Sequence, residues 1–197
     1  MKHHNPLYEA VKPNIGSSFT CLHFLKNENI KTRFWHYHPE IELIFVCGGS
    51  GKRQIGSNIS NFSNGDLILI GSNLPHCGLT NENTNNEYEV VIQFSKNFLG
   101  TEFWDAPEMQ RILSMLETAK SGMVFGETVK KSLSEKIRTL SELSYLDKLL
   151  TFIEILDELA HTKDFQILNA GKYYLQTQKE DNDRINLIFN HVKDNFK

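Results

Sequence analysis

The chain has 197 residues, a formal net charge of −3 and 40% apolar residues, which describes an ordinary globular protein without the basic surplus needed to bind nucleic acid by itself. Its three cysteines are scattered and odd in number, which argues against a disulfide framework or a zinc ribbon and predicts buried free thiols. No run approaches the roughly 20 apolar residues of a membrane span, and the N-terminus lacks the apolar core of a signal peptide, so we expect a cytoplasmic protein.

The first half of the chain is typical of an all-β domain, because short apolar runs alternate with turn signals between residues 18 and 94. Pairs such as Asn64-Gly65 supply the turns. We predict a closed antiparallel β-barrel, which leaves no strand edge exposed. The strands are expected, in chain order, at 19–25, 32–38, 41–47, 52–55, 59–62, 66–70, 76–79 and 88–94.

The second half is typical of α-helices. An apolar stripe from Met109 to Leu116 predicts a helix over 104–119. Residues 132–135 match the capping-box pattern, so a second helix is expected to begin there. Leucine and isoleucine then recur at three- and four-residue steps as far as Leu159, with a break between two helices predicted at Ser144. We expect this leucine stripe to pack on the barrel, and the same helices could also form a dimer seam.

The end of the chain resumes helical periodicity after a polar stretch. Residues 172–183 are expected to be a linker, and residues 184–197 a helix with one apolar face. A chain that ends directly after such a helix leaves that face with little to pack on, so we expect a further domain to follow in the intact protein. The other interpretation is a terminal helix that docks on the barrel.

Four side chains in the first half are of the kinds that bind metals: His36, His38, Glu42 and His76. Residues two apart in a strand share a face, so His36 and His38 are expected to point the same way. Three imidazoles and one carboxylate suit a divalent transition metal such as Zn or Ni. The alternative is that the histidines make structural hydrogen bonds and Glu42 anchors a turn or pairs with Arg53.

A second hypothesis is an organic effector, such as a sugar or another small polar metabolite, bound inside the barrel. Trp35 would offer an aromatic face for stacking, Arg53 a bidentate pair of hydrogen bonds to a carboxylate or hydroxyl pair, and Gln93 a side-chain amide. The other interpretations are core packing for Trp35 and a solvated strand position for Arg53. No nucleophile elbow, P-loop or dinucleotide-binding fingerprint occurs. The ligand-binding residues are therefore expected to be Trp35, His36, His38, Glu42, Arg53, His76 and Gln93.

Two segments resemble the conserved motifs of cupins. They are the HxH-xxx-Glu pattern of residues 36–42, followed by a glycine turn, and GDLILIGSNLPH at residues 65–76. The sequence HPEIEL at 38–43 more specifically resembles that of the sensor domain of AraC-type transcriptional regulators. The tail RINLIFNHVKDNF at 184–196 resembles the opening helix of their helix-turn-helix domain. The resemblance implies a mainly β fold with C-terminal helices: a cupin-type antiparallel β-barrel (a double-stranded β-helix or jelly roll) followed by an α-helical segment.

The resemblance implies the effector-sensing and dimerising part of an AraC-like transcription factor, which reaches DNA only through a domain missing from this chain. The expected divisions are an effector-binding barrel at 1–100, a helical dimerisation or linker region at 101–170, and a linker with the first helix of a truncated DNA-binding domain at 171–197. We expect a homodimer that binds a small molecule and has no enzymatic activity. The alternatives are a metal-dependent cupin enzyme, either a dioxygenase or an isomerase, and a stand-alone small-molecule-binding cupin.

Overall fold

The computed structural model describes residues 6–12, 16–26, 34–80 and 83–169. In that part of the chain the predicted order, strands first and helices second, is confirmed, with two short strands added to the helical half. The predicted linker and tail at 171–197 lie outside the described residues. The strands are β1 (Leu7–Tyr8), β2 (Phe19–Leu25), β3 (His36–Tyr37), β4 (Ile41–Cys47), β5 (Ser50–Ile55), β6 (Asn58–Ser63), β7 (Asp66–Ile70), β8 (Tyr88–Phe94), β9 (Met123–Phe125) and β10 (Phe165–Ile167), and the helices are α1 (Thr101–Trp104), α2 (Gln110–Thr118), α3 (Glu127–Thr139) and α4 (Tyr145–His161).

Both ends of four strands agree with prediction, because each strand is an apolar run bounded by turn residues; these strands are β2, β4, β7 and β8. The strand predicted at 76–79 is wrong. Only His76 pairs there, through single bridges to His36 and Ile55, so the segment crosses between two strands without joining either. Strands β1, β9 and β10 were not predicted, since two or three residues are too few to show a period.

A six-stranded sheet in the order β10-β9-β7-β4-β8-β2 forms the middle layer, and all its pairs are antiparallel. Successive side chains of β4 point to opposite faces of this sheet. Leu43 and Phe45 belong to the core beneath the helices, whereas Ile44 and Val46 belong to a second core on the other face. That second core lies against the β5–β6 hairpin. The predicted closed barrel stays a prediction, because the described ladders form three sheets rather than a continuous ring.

The helices cover the other face of the middle sheet, which confirms that the leucine stripe packs on it. The Phe152 ring on α4 is fully buried and stacks on Phe19 of β2, with centroids 4.5 Å apart. The predicted break is also confirmed, since α4 begins directly after Ser144. The capping box at 132–135 is wrong. Helix α3 begins at Glu127, and its periodic apolar positions start at Val129, ahead of the capping-box pattern.

The cysteines are free thiols, as predicted, but only Cys21 is buried. Burial raises the pKa of its thiol to about 11, so Cys21 is an unreactive core residue. Cys47 and Cys77 are half-buried. None of the helices in the described ranges combines the length and apolar character needed to cross a bilayer.

Candidate metal centre at the buried histidine cluster

The three predicted histidines meet in the interior of the protein, where each is at most 2% exposed. His36 lies on β3 and exchanges two backbone hydrogen bonds with His76, at 3.0 and 2.9 Å, which brings their ring centroids to 4.2 Å. His38 follows β3 on the same face. One ligand atom from each of His36, His38 and His76 lies within 4.8 Å of the other two.

Each imidazole is oriented by a backbone hydrogen bond at its Nδ1 atom. A carbonyl oxygen only accepts, so each Nδ1 carries the hydrogen and donates it. In the neutral ring the lone pair is then on Nε2, the atom that faces the cluster. This second bond is the usual way in which proteins orient a metal-binding histidine. The accepting carbonyls are those of Phe34, Glu40 and Leu74, which lie 2.8, 3.1 and 2.8 Å from the Nδ1 atoms of His36, His38 and His76.

Glu42 supplies a buried carboxylate beside two of these rings. Its Oε2 atom accepts a 2.7 Å hydrogen bond from Gln93 Nε2 and lies 3.1 Å from His38 Nε2, while its Oε1 atom lies 3.4 Å from His76 Nε2. Burial raises the pKa of the Glu42 carboxyl, but the neighbouring imidazoles of His76 and His38 outweigh burial and hold that pKa well below its usual range. The Glu42 side chain is therefore ionised.

The cluster contains more acceptors than donors. A carboxylate oxygen can only accept, so each Nε2 lone pair that faces one needs a proton or a cation between the two atoms. At His38, burial lowers the imidazole pKa, but the contact with Glu42 outweighs it and raises that pKa. His76 Nε2 lies within ion-pair distance of Glu42, yet the geometry is not that of a hydrogen bond, and this buried nitrogen has no hydrogen-bond partner in the described part of the chain. Nitrogen and carboxylate donors with an unpartnered inward nitrogen fit a divalent transition metal.

A cavity of about 60 Å³ opens beside the cluster. Small-molecule pockets are typically about 300–1,000 Å³. The space therefore admits an ion with a few waters, but not a sugar. Its polar lining comes from Glu9, His36, Glu42, Glu89 and Gln93.

Arg53 and Trp35 do not join the cluster. Arg53 is buried on β5, where its Nη1 lies 2.5 Å from Asp66 Oδ2 and its Nε donates to Ser60 Oγ at 2.8 Å. Both alternatives for Arg53, a solvated position and a pair with Glu42, are therefore wrong. Arg53 instead lines a separate cavity of about 240 Å³. Trp35 is half-buried and lines neither of these two cavities.

Sequence reasoning missed Glu9, whose Oε2 atom lies 3.0 Å from His36 Nε2. The contact with His36, together with the charges of His36 and His38, outweighs burial and lowers the pKa of the Glu9 carboxyl. Strand β1 pairs in parallel with β3 and so delivers Glu9 to the cluster. A two-residue strand gives no periodic signal from which this pairing could have been predicted.

No family model matches the chain, and no curated protein matches it. Among solved structures, ToxT from Vibrio cholerae aligns with a TM-score of 0.40 and 14% identity over 92% of this chain and 64% of ToxT. A mutant of Bacillus subtilis oxalate decarboxylase aligns with a TM-score of 0.31 and 18% identity over 51% of this chain and 29% of the decarboxylase. This chain thus covers less than two thirds of the length of ToxT and of the oxalate decarboxylase. Likenesses this distant assign neither a family nor an activity.

Proposed function

We propose that this chain binds a divalent transition-metal ion through His36, His38, His76 and Glu42, and that it does so as the sensing domain of an AraC-type transcription regulator with a cupin-type barrel. One observation carries the metal proposal: three buried Nε2 atoms, each turned inward by a backbone bond at Nδ1, meet beside an ionised carboxylate. The regulator proposal rests on the sequence motifs described above.

The size of the cavity favours a sensor over an enzyme. A bound ion would supply positive charge and Lewis acidity at the cluster, and the adjoining space of about 60 Å³ is far below the volume of a typical small-molecule pocket. The proposed ligands lie on separate elements of the fold. His36 lies on β3, Glu42 lies on β4, and His76 lies in the segment after β7, so one ion would tie all three together. Ion binding can act as a signal only if two arrangements of these elements bind the ion with different affinity.

Calorimetric titration of EDTA-treated protein with Zn²⁺, Ni²⁺ and Mn²⁺ tests the metal site. We expect one ion per chain for the wild type and loss of binding in His76→Ala. The matched control is His161→Ala, because His161 is exposed on α4, away from the cluster, and contacts Asp157 of the same helix. Wild-type binding that is absent, or equally strong in both variants, would overturn the metal site.

Footprinting with the full-length gene product tests the regulator. Protection of promoter DNA that depends on the metal and is lost in His76→Ala supports a sensor. Metal-dependent turnover of small acids or sugars, with no effect on DNA binding, would instead support the enzyme.

We also propose that α4 forms the homodimer contact, with a second copy of this chain as its occupant. Its outer face carries Tyr145, Leu146 and Leu150, which are 73%, 64% and 51% exposed. Contiguous apolar side chains of this kind mark interaction surfaces. Asp147 and Lys148 lie within the same turn. A two-fold contact is self-complementary, so neighbouring charges of opposite sign can pair with each other across it.

A second candidate is an organic effector in the cavity of about 240 Å³ lined by Arg53, which is named here the Arg53 cavity. Arg53 and Lys130 in its lining are paired with Asp66 and Glu127. Together with the rings of Phe62 and Phe125, these neutralised pairs suit a small neutral molecule that has an apolar part. Benzamide is a suitable probe in a thermal-shift titration. Gln166→Trp would fill the cavity from the exposed strand β10 and abolish the shift, whereas Gln166→Ala would retain it. A shift that both variants retain would exclude this cavity.

A further inference from the structure

The N-terminal segment brings a second carboxylate to the histidine cluster. The parallel pairing of β1 with β3 sets Leu7 opposite His36, and the Glu9 amide then donates to the Tyr37 carbonyl at 3.0 Å. The backbone therefore holds Glu9 beside the cluster, and its Oε2 atom lies 3.0 Å from His36 Nε2.

The spacing of Glu9 from His36 is compatible with two ligands of one ion. Donor atoms bound about 2.1 Å from a metal lie roughly 3.0 Å apart at right angles and roughly 3.4 Å apart at tetrahedral angles. The Glu9–His36 distance is 3.0 Å, and the corresponding distances from Glu42 to His38 and His76 are 3.1 and 3.4 Å. Glu42 thus contacts two of the three histidines, and Glu9 contacts the third.

The Glu9 Oε2 atom is also buried without a well-formed hydrogen bond in the described part of the chain. His36 donates through Nδ1 to a backbone carbonyl, so its neutral ring presents a lone pair to this oxygen. Two acceptors at this distance repel one another unless a proton or a metal ion lies between them.

We propose that Glu9 is a fifth protein ligand of the ion, which completes a set of three imidazoles and two carboxylates. This inference rests on the metal site of the proposed function. Two carboxylates offset the charge of a divalent ion, and five protein donors favour ions that accept five or six ligands, such as Mn²⁺, Fe²⁺ or Ni²⁺, over tetrahedral Zn²⁺.

Glu40 provides a matched control. Its Oε2 atom is likewise buried without a hydrogen bond and lies 3.7 Å from a histidine, but the histidine atom is Nδ1 of His38. That nitrogen faces away from the cluster and bonds the Glu40 carbonyl. The Glu40 carboxylate therefore adds charge near the site without reaching the ion.

Co²⁺ titration of the apo protein, followed by visible absorption, tests the proposal, because cobalt absorption becomes more intense as the coordination number falls. We expect Glu9→Gln to weaken Co²⁺ binding on the order of 10–100-fold and to intensify the absorption. Glu40→Gln should leave the absorption unchanged and weaken binding much less than Glu9→Gln does, and Glu9→His, which restores a donor, should recover much of the affinity.

The outcomes separate the two proposals. If wild-type protein binds no Co²⁺, the metal site and the role of Glu9 both fail. If it binds Co²⁺ and Glu9→Gln has wild-type affinity or an unchanged spectrum, only the role of Glu9 fails. Hydrogen exchange of the Glu9 amide in the wild type is a check that needs no variant. Co²⁺ should slow this exchange, and equal rates with and without the ion would overturn the proposal.

Discussion

Replacing Gln93 by leucine would remove the one amide donor that holds the Glu42 carboxylate. The two residues are opposite each other on β8 and β4, and the Gln93 Nε2 atom donates to Glu42 Oε2 at 2.7 Å. Leucine keeps a similar volume but offers no hydrogen bond. The change therefore removes the shorter of two hydrogen bonds to a buried, ionised oxygen and leaves it only the 3.1 Å contact with His38 Nε2.

The size of the effect follows from that single bond. A hydrogen bond to a charged group contributes about 1.5–3 kcal/mol. The Thr20 hydroxyl, which contacts the Gln93 side chain at 3.3 Å, also donates to the Gln93 backbone oxygen and therefore keeps a partner. We expect the free energy of unfolding of the metal-free protein to fall by about 2 kcal/mol, which lowers the Tm by roughly 4–8 °C in a chain of this length. Metal affinity should fall on the order of 10–100-fold, because a partner of a metal ligand is lost.

Calorimetry of the EDTA-treated protein and metal titration measure the two effects. Gln166→Leu on the exposed strand β10 is the matched control and should change neither. In a Glu42→Gln background, the Gln93 substitution should cost clearly less, since the charged acceptor is gone. Equal costs in both backgrounds, or wild-type metal affinity in Gln93→Leu, would refute the role assigned to this hydrogen bond.

Three further predictions concern the fold, the dimer and pH. Gly65→Ala should cost about 2–3 kcal/mol in urea denaturation, because φ is +77° and a Cβ atom would lie 2.2 Å from a backbone carbonyl, whereas Gly100→Ala, with φ +86° and open space, should cost about 1 kcal/mol. Leu150→Lys should convert a dimer to a monomer in analytical ultracentrifugation, and a strictly monomeric wild type would contradict the α4 contact. Hydrogen bonds to two lysines lower the Glu117 pKa to about 2, so its contribution is present above pH 4.5 and is lost as the pH falls toward 2. Because these groups are nearly half exposed, Glu117→Gln should cost less than about 1 kcal/mol at pH 7 and still less at pH 2.

Local patterns were sufficient to predict the buried strands. The run at 41–47 is apolar and is bounded by a proline and two glycines, so its ends could be read from adjacent residues. The strand period likewise predicted that His36 and His38 share a face. Helix α3 was harder to delimit, because a capping pattern at 132–135 lies inside a helix that had already begun at Glu127. Where local sequence preference and tertiary packing favour different helix ends, packing determines where the helix begins.

The sequence by itself determined which side chains share a face, because that depends only on the repeat of a strand or helix along the chain. It did not determine what each side chain meets. Glu9 reaches His36 through a two-residue parallel pairing, and Arg53 turns to Asp66 instead of Glu42. Both outcomes depend on contacts between distant segments. Such contacts form only when the sheets pack together, so their partners leave no periodic trace in the chain.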